Sequence, residues 1–274
     1  MTATIIQSAQ SRLETRLQLL REKGERALIC YVIAGDPSLE KTVELVCALD
    51  RAGVDAVELG IPFSDPLADG PIIQLGSIRA LAGGCTVAKT LATLKAIREV
   101  SEIPIVLMTY YNPVLQYGVA RFAKDAAEAG ADGVIQTDLT PEESDEWVNA
   151  ARNVGLNTVF LAAPTSTRER LEIAAKQCSG FFYAVSRTGV TGASQSVSNE
   201  LPAMMERIRA VTDLPVCVGF GISTPEHVRA VCPHADGVVV GSALVDLIGK
   251  YGDSAELNDK VYEYAITLKQ ATLS

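Results

Sequence analysis

Short, nearly unbroken apolar runs recur along this chain, and each is followed by a stretch with helical spacing. The runs are ALICYVIAG (27–35), AVELGI (56–61), PIVLMTY (104–110), GVIQTD (133–138), NTVFLAA (157–163), FFYAVS (181–186), PVCVGFG (215–221) and GVVVGSA (237–243). Apolar residues at successive positions, bounded by turn residues, suit strands covered on both faces. Between the runs, SLEKTVELVCALDRAG (38–53) sets Val43, Leu45, Val46 and Leu49 at helical spacing, with Gly53 as the stop. GVARFAKDAAEAG (118–130) ends the same way. PEESDEWVNAARNVG (141–155) opens on Pro141 and four acidic residues, which suits the positive end of a helix dipole, with Thr140 as its N-cap.

A faint internal repeat joins these units. AGVDAVELG (52–60), AGADGVIQTD (130–138) and HADGVVVGS (234–242) each carry a helix end, a turn containing Asp, and a strand. Repeated αβ units with short connections imply a parallel sheet with right-handed crossovers. Eight such strands point to a closed (β/α)8 TIM barrel, an α/β fold, over an open doubly wound sheet. The open sheet often carries GxGxxG after its first strand; here that strand ends in AGDP (34–37). The expected organisation is one domain over 1–274, with an extra N-terminal helix at 8–25 and the barrel over 27–270.

The chain has 274 residues, 48% hydrophobic and 21% charged, which is ample for one barrel core. Its formal net charge of −9 gives no basic face for nucleic acid and disfavours anionic membranes. No run of 18 apolar residues is present for a membrane span. The N-terminal segment reads as an amphipathic helix and not as an export signal. Six cysteines stand singly, without CxxC, and are expected as free thiols in a reducing compartment. A cytoplasmic location is expected, or the plastid stroma for a plant protein.

Candidate chemistry collects at strand ends. VGFGIST (218–224) and VVGSAL (239–244) close the seventh and eighth strands, where barrels often bind phosphate. Their glycines let backbone N–H groups approach an anion, or else simply make tight turns. ELGIPFSDPLADGP (58–71) holds Glu58, Asp65 and Asp69 with no basic residue among them. Glu58, near the end of the second strand, is either an acid/base group in the barrel mouth or a core carboxylate satisfied by a hydrogen bond. Asp69 is either a site carboxylate or an Asx-turn residue, and Asp65 a turn or surface residue. DPLAD offers two oxygen ligands for Mg²⁺, but no DDxxD run or further acid cluster joins them, so no metal is expected. His227 and His234 are expected on a surface helix and its end. The polar loop SRTGVTGASQS (186–196) is either a lid hinged at Gly189 and Gly192 or a plain surface loop. Tyr183, within the sixth strand, is either barrel packing or a phenol aimed at the site.

Taken in order, ELGIPFSDPLADGP, LMTYYNPV (107–114), SRTGVTG (186–192) and GFGIS (219–223), with AGDP and GSALV (241–245), resemble the α subunit of tryptophan synthase over essentially the whole chain. The resemblance implies retro-aldol cleavage of indole-3-glycerol phosphate to indole and glyceraldehyde 3-phosphate, without a cofactor in this chain. It implies Glu58 as general acid/base, Asp69 as acceptor of the indole N–H, and Tyr183 beside them. Gly192, Gly221, Gly241 and Ser242 are implied as phosphate ligands, Tyr31, Tyr110 and Phe220 as the indole pocket, and Arg187 and Thr191 as the lid. A pyridoxal-phosphate-dependent β subunit is the implied partner in an α2β2 complex, met by Asp65, Asn112 and Pro113. Tyr31 stands where many members have Phe, and Ile33 where Thr is common. A stand-alone lyase releasing free indole, and a barrel that only binds, are the competing readings.

Overall fold

The computed structural model describes residues 10–185, 201–219, 221–252 and 254–273. The apolar runs form parallel strands β1 (Ala27–Ile33), β2 (Ala56–Gly60), β3 (Ile105–Thr109), β4 (Gly133–Gln136), β5 (Asn157–Val159), β6 (Leu161–Ala162), β7 (Phe182–Val185), β8 (Val216–Gly219) and β9 (Gly237–Val240). The sheet order is β5-β4-β3-β2-β1-β9-β8-β7-β6. Its two ends, β5 and β6, belong to one stretch of chain: β5 pairs with β4 and β6 with β7. At the break, the Phe160 carbonyl accepts from the Tyr183 N–H at 3.1 Å. The sheet thus closes on itself, and the eight runs read from the sequence make a TIM barrel whose fifth strand is split at Phe160.

Around it lie α1 (Arg12–Lys23), α2 (Leu39–Arg51), α3 (Pro71–Ala82), α4 (Val87–Arg98), α5 (Tyr111–Tyr117) and α6 (Val119–Ala129). Next come α7 (Asp145–Asn153), α8 (Arg168–Gln177), α9 (Leu201–Arg209), α10 (Pro225–Val231), α11 (Ser242–Tyr251) and α12 (Leu257–Ala271). One expectation changes. Residues 141–143 form a separate 3-10 turn, and the Thr140 side chain caps no backbone N–H. The Ser144 hydroxyl instead donates to the Pro141 carbonyl at 2.9 Å, and α7 starts one residue later. The connection after β2 is irregular only to Gly70; Pro71, at the first helical position, then starts α3.

Strand residues alternate between two apolar environments, which explains the unbroken runs. Leu28, Cys30, Val57, Leu59, Leu107, Val134, Phe182, Val218 and Val240 face the helices. Ala27, Ile29, Ala56, Val106, Ile135, Val159, Tyr183, Cys217 and Val239 fill the barrel, with Leu13, Leu17 and Leu20 of α1 packed against them. A capping box between Ser11 and Glu14 starts α1.

The Asp of the repeat has a defined task at the amino ends of the strands. Asp55 Oδ2 accepts from the Leu28 N–H at 2.7 Å, while its own N–H donates to the Leu28 carbonyl at 2.9 Å. Asp132 makes the same exchange with Ile105, and Asp236 with Val216. Ser179 repeats it with Thr158 through its hydroxyl. Each side chain satisfies a strand-end N–H that has no ladder partner. Asp55 also accepts from Arg16 and from Lys269 Nζ, both at 2.6 Å, tying α1 and α12 to the barrel.

Candidate active site

Glu58 stands on β2 opposite Tyr31 of β1 and Val106 of β3. It shares the inward parity of Ala56, so its carboxyl rises from the packed barrel floor. It is 1% exposed, and Oε1 has no hydrogen-bond partner among the described residues. Burial alone pushes its pKa from 4.5 up to about 8, because the charged form would lose water and gain no compensating donor.

At the carboxyl ends of the strands, Tyr31, Glu58, Asp69, Ile73, Met108, Tyr183, Gly221, Val239, Gly241 and Ser242 line one cleft. Its void, including the part open to solvent, is about 480 Å³. A Cβ on Gly60 would collide with the Tyr31 phenol, and one on Gly219 with that of Tyr183. The two tyrosines can lie flat against the strand ends only because those residues are glycines. Burial raises both phenol pKa values well above the usual range.

Asp69 is half-buried on the loop leaving β2. Its N–H donates to the Pro66 carbonyl at 3.0 Å, and its carbonyl accepts from Gln74 Nε2 at 2.8 Å. Burial raises its pKa to about 6, against a lowering hydrogen bond from Tyr110. At neutral pH, one cleft therefore holds a protonated carboxyl at Glu58 and an ionised one at Asp69.

Gly221, Gly241 and Ser242 supply another part of the cleft lining. Gly241 is the N-cap of the ten-residue α11 and supplies no side-chain cap, so the first N–H groups of the helix have no acceptor from the N-cap side chain. Gly221 holds φ +85°, a conformation that favours glycine. By contrast, Thr224 caps α10 with its own side chain.

Other expected residues fall elsewhere. Tyr110 lines a smaller recess behind Asp69, with Ser77, Thr109 and Thr137. Asp65 is exposed, as are Asn112 and Leu67, and Pro113 is half-buried. His227 is half-buried on α10 and His234 exposed just beyond it. Arg187, Thr191, Gly192 and Phe220 lie outside the described residues. All six cysteines are free. Among the described residues, no group of three or more His, Cys, Asp or Glu is placed to hold a metal, and no helix is long and apolar enough to cross a membrane. Sequence reading missed Ile73, Met108 and Val239. Strand parity points to Met108, two residues beyond inward Val106, and to Val239; nothing local marks Ile73.

Fold and cleft together define a (β/α)8-barrel enzyme with its site at the carboxyl ends of the strands. The sequence matches the family profile described as tryptophan synthase alpha chain over residues 17–273. It is 50% identical to the tryptophan synthase alpha chain of Geobacter sp. (strain M21), covering 96% of this chain and 98% of that one. It is 48% identical to that of Solibacter usitatus, covering 95% and 97%. The crystal structure of tryptophan synthase subunit alpha from Legionella pneumophila superposes with a TM-score of 0.89 at 37% identity, covering 96% and 99%. A structure of Mycobacterium tuberculosis tryptophan synthase gives 0.88 at 38%, with the same coverage. The chain belongs to the tryptophan synthase alpha chain family.

Proposed function

We propose that Glu58 and Asp69 divide the chemistry of the family's reaction between them. That reaction is the retro-aldol cleavage of indole-3-glycerol phosphate to indole and glyceraldehyde 3-phosphate. Protonated Glu58 delivers its proton to C3 of the indole ring. Positive charge then develops at the ring nitrogen, where ionised Asp69 accepts the N–H hydrogen bond and stabilises it. Glu58, now a carboxylate, removes the proton of the glycerol C3′ hydroxyl; the C–C bond breaks, its electron pair restores the indole, and the hydroxyl carbon becomes the aldehyde. The observation that carries this reading is the separation of the two acids, about 8 against about 6, inside one cleft.

The phosphate is assigned to the N–H groups at Gly241 and Ser242 and to the Gly221 turn, and the indole to the wall made by Tyr31, Met108 and Tyr183. The reaction needs no cofactor in this chain, and pyridoxal phosphate is assigned to the partner. Family membership implies a β subunit, and favours a subunit over a stand-alone lyase. We assign its contact, within an α2β2 complex, to Asp65, Leu67, Asn112 and Pro113. Leu67 is 89% exposed, an apolar side chain that a partner would cover. Lyase turnover of Glu58→Gln and Asp69→Asn, with and without added β subunit, tests both assignments. Wild-type rates in both variants would refute the division of roles; a wild-type rate indifferent to the β subunit would refute the partner.

A further inference from the structure

Tyr110 immediately follows β3 and is the N-cap of α5, so two regular elements fix its backbone. Its ring packs tilted against Phe63 near the start of the 61–70 loop, with centroids 5.4 Å apart. Its hydroxyl reaches the other end of that loop, where it accepts from the Ala68 N–H at 3.0 Å. A phenol has one proton to give and an ionised carboxylate only accepts, so in the contact between Tyr110 and Asp69 the tyrosine donates. Thr137, just past the end of β4, also lies within hydrogen-bond reach of the hydroxyl.

We propose that Tyr110 is a positioning residue for Asp69, clasping the loop at both ends and directing the carboxylate with its own O–H. This rests on the reading of Asp69 as the ionised acid beside the indole nitrogen. The other groups that face Asp69 are Tyr31 from β1 and Glu58 from β2. No Lys, Arg or His lines either the cleft or the recess among the described residues. The Tyr110 hydroxyl is therefore the donor that opposes the burial of the Asp69 charge. Gln74 provides the contrast: it holds the Asp69 carbonyl at 2.8 Å and does not touch the carboxylate. A purely structural clasp predicts that losing either anchor has the same kind of effect. A directing clasp predicts that only Tyr110 alters titration.

The test is the pH dependence of kcat/KM for indole-3-glycerol phosphate cleavage, measured on the full chain with its β partner, for wild type, Tyr110→Phe, Gln74→Ala and Asp69→Asn. Tyr110→Phe should move the acidic limb up by about one pH unit or more, the scale of one hydrogen bond to a charged group, with the loss mainly in kcat. Gln74→Ala should lower the rate by a common factor and leave the limb in place. A carbon-13 carboxyl NMR titration of Asp69 should show the same displacement without relying on activity. An acidic limb and an Asp69 titration in Tyr110→Phe that coincide with wild type would overturn the proposal. Asp69→Asn separates the layers: if it kept the wild-type rate and profile, the reading of Asp69 itself would fail, whatever Tyr110 does.

Discussion

Replacing Glu58 with Gln should stabilise the protein at alkaline pH while removing most of its activity. Glu58 titrates at about 8 in the fold against 4.5 for a free side chain. A folded pKa raised above the unfolded one means that the fold prefers the neutral acid. Wild-type stability is then fullest below about 4.5 and is lost as pH climbs to about 8, since the unfolded chain can ionise and the fold resists it. Glutamine has a similar shape and no charge to lose, so it escapes this penalty. At about 1.4 kcal/mol per pH unit, the stability of Glu58→Gln relative to wild type should grow by about 4 kcal/mol between pH 5 and pH 8.5. Urea unfolding at the two pH values reads this directly, as a midpoint difference that widens at unchanged slope. The same variant should lose roughly 10²- to 10⁴-fold in lyase kcat, the usual range for one general acid–base group. A stability difference that stays constant across the pH range would refute the idea that burial holds Glu58 neutral.

The pH profile of wild-type kcat/KM should be a bell. It should fall about tenfold per unit below about pH 6, as Asp69 is protonated, and above about pH 8, as Glu58 ionises. Asp55→Ala leaves the Leu28 N–H, Arg16 and Lys269 without their shared buried acceptor. It should cost about 3–5 kcal/mol, lowering Tm by about 10 °C in a thermal melt, with the rate per folded molecule unchanged at room temperature. Gly60→Ala forces the Tyr31 phenol aside; it should destabilise by about 1–3 kcal/mol in urea and raise KM. Gly241→Ala puts a Cβ only into ordinary contact, 3.5 Å from Tyr31 Cβ. It should leave Tm unchanged and weaken glyceraldehyde 3-phosphate binding by calorimetry, and unchanged affinity would remove Gly241 from the phosphate site.

Much of the fold was legible because its signals are local. Apolar runs with Gly and Asp at their ends mark barrel strands, and the closing glycines of α2 and α6 take left-handed φ of +81° at Gly53 and +94° at Gly130. The repeated Asp was visible as a pattern, though its bond to the neighbouring strand could not be seen until the barrel aligned Asp55 with Leu28. At residues 140–146 the acidic run promised one continuous helix. The competing hydroxyl of Ser144 divides it, a local bond that propensity does not weigh.

The amino-acid sequence alone determined the barrel class, the order of the three acids in and after the second strand, and the glycines at the ends of the last two strands. It did so because strand periodicity and turn chemistry act between near neighbours. Tertiary structure alone decided which acid is neutral. That depends on desolvation by a floor assembled from Ile29, Val106, Val159 and Val239, residues far apart in the chain. It also decided which side chain addresses Asp69. The answer, Tyr110, lies 41 positions away and reaches it only because β2 and β3 run side by side and their loops meet at the same end of the barrel.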